Sequence, residues 1–261
     1  MTKEDSSPAT QGPNTIIVDY RNIDSLVSIF EEHNINTVIC AFAVKGDSLV
    51  TSQLNLIQAA TKFKATIRFI PGGFAIPYPQ RAVQILPQLK GYFTALDVLR
   101  ESGLMWTIFH GGIFLFAAIP GDGNVPVTFT YSFDLARFVV AALDLEKWDE
   151  ETRVVGDEIT WNQFVALAER YRGSKFETCY DDVDMLKRFE ITELPGHRAL
   201  YDQFPKKPFQ WFMSIFELFT TDGTSHIQKH GSLNDKFPEI TPLSVEGMLN
   251  RFWGNHGSTT R

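Results

Sequence analysis

Apolar positions along this chain alternate between two rhythms, short β-branched runs and longer stretches with helical spacing. Residues 15 to 20, TIIVDY, follow Gly12 and Pro13 and predict a buried strand. A helix is predicted next, because Ile23, Leu26, Val27 and Phe30 recur at helical spacing, with Asp24 and Ser25 near its start. Thr37 to Ala43, TVICAFA, is apolar nearly throughout, the pattern of a strand covered on both faces. A helix from about Ser48 to Phe63, with Leu54, Ile57, Gln58 and Ala60 along one side, leads into a third strand at Thr66 to Pro71. After a loop from Gly72 to Pro79 come a helix from about Ala82 to Ser102, interrupted at Pro87 and Gly91, and a strand from Met105 to Phe109. Three βαβ steps of this kind predict a parallel sheet with right-handed crossovers.

Beyond His110 the pattern is mixed. Strands are predicted at Val125 to Thr130, Thr152 to Gly156 and Lys175 to Tyr180, and helices at Phe133 to Leu143 and Trp161 to Tyr171. From Asp181 onward the chain reads as mostly helical, ending with Ser244 to Phe252. The fold class is therefore α/β, with a smaller, mainly helical C-terminal lobe.

Composition narrows the function classes. With 261 residues, 44% of them hydrophobic, the chain can bury a sizeable core. A net charge of −7 leaves no basic face for a phosphate backbone, so nucleic acid is excluded as a direct partner. Cys40 and Cys179 lie outside any zinc or redox spacing, and no N-x-S/T acceptor occurs, which points to a reducing compartment. Residues 1–14 are polar and read as a disordered tail without an apolar signal segment, and no stretch reaches membrane-spanning length; a cytoplasmic protein that does not contact the membrane is expected.

Several groups invite a chemical reading. Tyr171 and Lys175 match a Y-x-x-x-K spacing, but Gly173 between them sits where a helix C-cap belongs, so the two should not share a face. His226 and His230 have i, i+4 spacing without a third ligand; a polar surface pair is expected and no metal site. Phenylalanine is abundant, 22 in all, and concentrates between Phe204 and Phe219. Such a cluster covers a core, lines an apolar cavity or forms a subunit contact, and core packing is the expected role. His110 follows a strand predicted to be parallel, at the end where open α/β sheets bind ligands.

The strings INTVICAFAV, QLNLIQAA, RFIPGGFA, SGLMWTIFHGGIF, AAIPGDGNVPVTFTYSFDLARFVVAALDLEKW, VVGDEITWNQFVALAE and NDKFPEITPLSVEGMLNRFWG, together with IIVDYRNIDSLV, occur in this order from residue 15 to residue 254. In them the chain resembles the NmrA-like branch of the atypical short-chain dehydrogenases, which includes isoflavone reductase-like enzymes, and the version found in fungal proteins above all. The resemblance implies a Rossmann-like core at residues 15–120 that binds NADP or NAD, and a substrate lobe at 121–261 packed on the same core. It also implies that Asp19 and Tyr20 contact the adenine end of the cofactor, and that Phe42, Ala43 and Val44 pass the nicotinamide ribose.

Three departures from the family pattern change the expectation. The strand and glycine-rich turn that should precede TIIVDY are not in the sequence, so the Rossmann-like sheet is expected to be incomplete and cofactor binding impaired or lost. The family's catalytic lysine position is Tyr92, with Lys90 two residues earlier, and Gly72 and Gly73 stand where the family has Ser and Glu; these two glycines are the remaining candidates for backbone contact with a cofactor. GIFLF runs almost directly into AAIPGDG, which should open the ligand cavity. His110, Tyr92 and Lys90, with Tyr78 nearby, form the expected proton-transfer cluster. Three readings stay open: an NAD(P)H-dependent reductase of a small, apolar or aromatic secondary metabolite, a cofactor-free isomerase or cyclase, and a non-catalytic regulatory or binding protein. Helices lacking the strands they would cover predict marginal stability or a homodimer that supplies the cover.

Overall fold

The computed structural model describes residues 15–42, 48–112, 118–202 and 204–254. Helix α1, Ile23–Glu32, begins where Asn22 accepts the Ser25 amide, and it turns Leu26 and Phe30 inward. Strand β1, Thr37–Ile39, is followed by a wide turn at Ser48–Ser52 that runs into α2, Gln53–Lys62. β2, Arg68–Ile70, lies parallel to β1. A tight turn at Gln80–Gln84 precedes α3, Leu89–Glu101, so the break falls around Pro87, whose ring cannot continue a helix ladder.

β3, Met105–Trp106, and β4, Ile108–His110, are two halves of one extended segment. β3 pairs with β2, and β4 pairs with β7, Glu151–Arg153, both in parallel. The parallel strands therefore form a three-stranded sheet, β1-β2-β3, and a two-stranded one, β4-β7, which the shared segment of β3 and β4 joins into one layer that β7, from beyond residue 120, helps to build. Between β4 and β7 lie β5, Ile119–Pro120, β6, Pro126–Phe129, and α4, Ser132–Ala142. The remaining elements are β8, Asp157–Thr160, α5, Trp161–Arg172, β9, Tyr180–Asp181, α6, Val183–Lys187, α7, Lys206–Thr221, α8, Leu233–Lys236, and α9, Val245–Trp253. β6 pairs antiparallel with β8, and β5 parallel with β9.

Two strand expectations are corrected. Residues 15 to 19 are extended but pair with nothing among the described residues, and Ile17 is 98% exposed. A β-branched run becomes a strand only where a neighbour offers its hydrogen-bonding edge, and this one does not reach the free edge of β1. The strand expected at 175–180 shortens to Tyr180–Asp181, because Glu169 at the end of α5 draws in the Phe176 amide and the Lys175 ammonium. Within α2 the inward face is Leu56, Ile57, Ala59 and Ala60, while Gln58 is exposed.

The main core lies between β1–β3 and helices α1 to α3. Ile215 and Phe219 of α7 join it, so a helix of the C-terminal region closes the first core. A second cluster gathers Phe109, Phe138 and Leu135 under α4, and a third gathers Val127, Trp161 and Leu249 between β6, α5 and α9. Burying each large apolar side chain contributes roughly 1.5–3 kcal/mol. Because α7 seals the main core along one stretch, its neighbouring residues are free to wall a space beside it.

Candidate active site

That space is a cavity of about 220 Å³. Ala75, Ile76 and Tyr78, in the loop after β2, form one wall, and Gly112, just past β4, lies at the C-terminal end of the same layer. Phe212 and Phe216 of α7 and Trp161, the first residue of α5, line it as well. The loops after parallel strands are where open α/β sheets place their ligands.

The polar groups of the cavity are few and buried. Glu217 lines it and is 6% exposed; its Oε2 has no hydrogen-bond partner among the described residues. Burial, reinforced by the neighbouring Asp181 carboxylate, pushes the Glu217 carboxyl up to about 9, so it carries its proton at neutral pH. Asp181 is fully buried and accepts from the Thr192 amide at 2.9 Å and the Thr192 hydroxyl at 2.5 Å. Trp161 is 5% exposed, and its Nε1 has no hydrogen-bond partner among the described residues. Tyr78 stands edge-on to Tyr92, with ring centroids 5.5 Å apart, and burial raises both hydroxyls above the ordinary tyrosine range.

The cluster expected from the sequence is only partly assembled. Tyr92 is buried behind Tyr78, whereas Lys90 is exposed on the other side of α3. His110 is 2% exposed, and burial lowers its pKa to about 4, leaving a neutral imidazole whose Nδ1 has no partner among the described residues. Its nearest carboxylate is Glu151, 3.9 Å from Nε2.

On the expected cofactor side, Tyr20 packs edge-on against Phe42 at 4.9 Å, and Asp19 is exposed and accepts the Arg21 amide. Ala43 and Val44 lie outside the described residues. The Gly72 amide donates to Gln53 Oε1 at 2.7 Å. A Cβ on Gly73 would lie 2.5 Å from Ile108 Cδ1 and 3.0 Å from Tyr92, so this glycine allows close packing.

The other sequence candidates separate. Gly173 ends α5 with φ 72°, Tyr171 donates to Glu246, and Lys175 pairs with Glu169, so the Y-x-x-x-K residues face different acids. His226 bonds Glu158 at 2.7 Å, and His230 is fully exposed off any helix.

No family model matches the chain. The protein named Oxidoreductase BOA1 from Botryotinia fuckeliana is 28% identical over 92% of this chain and 85% of its own length. Oxidoreductase swnN from Metarhizium robertsii is 24% identical over 94% of this chain and 86% of its own. Among solved structures, the ternary complex of leucoanthocyanidin reductase from Vitis vinifera superposes with a TM-score of 0.68 at 16% identity, covering 89% of this chain and 83% of its own. An isoflavone reductase superposes at 0.66 and 16% identity, covering 90% and 80%.

The chain thus has the Rossmann-like fold of these reductases and is similar in sequence along most of its length to proteins named oxidoreductases. What departs from the sequence expectation is the polar content in and beside the cavity. Sequence reasoning took the Phe204–Phe219 run chiefly as core, and α7 serves both purposes: Phe219 is core, whereas Phe212 and Phe216 face the cavity. Glu217, Asp181 and Trp161 were not foreseen. The available signal was a single carboxylate, Glu217, inside the apolar string FMSIFELF.

Proposed function

We propose that this NmrA-like chain takes a small, largely apolar or aromatic molecule into the α7 cavity and holds a nicotinamide cofactor weakly or not at all. The observation that carries the reading is the cavity itself, apolar on its walls, placed past the ends of parallel strands and supplied with a buried carboxyl group. Such a site suits a ligand that is mostly hydrocarbon with one or two polar atoms to fix its orientation.

The cofactor side supports the second half. A dinucleotide needs free backbone amides at a glycine turn or helix N-terminus for its diphosphate. Here the Gly72 amide is occupied by Gln53, and Gly73 is overlain by Ile108 and Tyr92. No G-x-G-x-x-G occurs in the sequence to offer others. With Lys90 facing solvent, Tyr92 and His110 are the members of the expected catalytic set that stay near the strand ends.

A cofactor-free isomerase or cyclase is the second reading. It is favoured by one observation: a protonated carboxyl, Glu217, and a neutral imidazole, His110, are both buried in this region at neutral pH. A homodimer formed through the free edge of β1 accompanies either reading, since Ile39 on that edge is 46% exposed. NADPH titration, followed by nicotinamide fluorescence, tests the reading. No saturation in the micromolar range is expected; affinity of about 1 μM, worth about 8 kcal/mol, would overturn it.

A further inference from the structure

The cavity has two unsatisfied polar atoms on its lining residues, and they are of opposite kinds. Glu217 Oε2 is an oxygen without a donor, and Trp161 Nε1 is a donor without an acceptor; both side chains are more than nine-tenths buried. Leaving a buried donor or acceptor without a partner is costly, so a ligand that supplies both partners gains on both. A hydroxyl group does this alone, because it donates once and accepts twice. A ketone or carboxylate offers only acceptors, and an ammonium only donors.

Charge narrows the class further. Asp181 beside Glu217 is fully buried, its described partners are the Thr192 amide and hydroxyl, and no ion pair reaches it among the described residues. An anionic ligand entering the cavity would give up water for largely apolar walls that include no cationic side chain to pair with it.

We propose that Glu217 and Trp161 in the cavity lining select neutral apolar ligands that carry a hydroxyl group, whose O–H donates to Glu217 and whose oxygen accepts from Trp161, with Asp181 positioning the Glu217 carboxyl. The inference rests on the reading of this cavity as the ligand site. Glu217 is then a specificity-determining residue, and the ligand's hydroxyl marks the end that enters deepest against α5.

The test is calorimetric titration of the full chain with four ligands on one ring system: 2-naphthalenemethanol, 2-methylnaphthalene, 2-naphthoate and 2-naphthylmethylamine. The alcohol is expected to bind at least about tenfold tighter than the hydrocarbon, as one good buried hydrogen bond supplies, and the carboxylate should not bind. Glu217→Leu should abolish the preference for the alcohol over the hydrocarbon. Glu217→Gln, which keeps a carbonyl oxygen and a donor for Asp181, should retain it, and Trp161→Phe should reduce it. Equal binding of alcohol and hydrocarbon would overturn the proposal and leave the cavity as the ligand site. Tightest binding of the amine or the carboxylate would also overturn it. Binding of none of the four would remove the cavity reading and the proposal together.

Discussion

Replacing Glu217 by glutamine should stabilise the protein, and increasingly so as the pH rises. The carboxyl has an ordinary value of 4.5 and is lifted to about 9, first by burial and then by Asp181. A group whose folded-state pKa is raised contributes most favourably below its unfolded value, and the contribution is lost as pH climbs through the folded value. Between the ordinary value and pH 7 lie about 2.5 units at about 1.36 kcal/mol each, so holding this proton costs the native state on the order of 3 kcal/mol at neutral pH. Glutamine removes that cost, and its amide still donates to the Asp181 carboxylate. Urea denaturation of both proteins from about pH 5 to pH 9 is the assay. The gap between variant and wild type should be small at the acid end and widen by about 1.4 kcal/mol per pH unit. Parallel stability curves would show that Glu217 ionises normally and would refute the argument.

His110 gives the opposite sign. Its folded pKa is depressed to about 4, so the unfolded chain takes up a proton first and stability falls as the pH drops from about 6.5 to 4; His110→Gln should flatten that limb of the acid denaturation curve. Gln53→Leu strands the buried Gly72 amide and should cost about 1–3 kcal/mol in chemical denaturation. Phe138→Ala, at a fully buried ring under α4, should cost about 3–5 kcal/mol by the same measurement. Lys90→Ala, at an exposed site on α3, should leave ligand affinity unchanged in calorimetry. For the homodimer, sedimentation at increasing concentration should show self-association that Ile39→Lys abolishes; a wild-type monomer throughout would remove the dimer from the account.

The βαβ part of the fold was legible because periodicity reports burial. α1 and α2, the interrupted α3 and the parallel strands fall where apolar spacing puts them, within a few residues. TIIVDY was misread because propensity describes a residue's fit to a pleated surface and not whether a neighbouring strand reaches it. The site was less legible for a related reason. Strand ends and family spacing pointed to His110 and Tyr92, which are buried, but also grouped Lys90 with them, although two positions along a helix turn it to the opposite side and it is exposed. Glu217 acquires its character from Asp181 on a distant strand and from the aromatic residues packed around it, and neither influence is local in sequence.

A crystal structure determined with saturating NADPH and 2-naphthalenemethanol together tests the central claim most directly. Density for the alcohol between Tyr78 and α7, its oxygen within hydrogen-bond distance of Glu217, and none for a seated diphosphate is the predicted outcome. A nicotinamide cofactor with its phosphates gripped by this chain's own backbone, or an α7 cavity left empty, would contradict it.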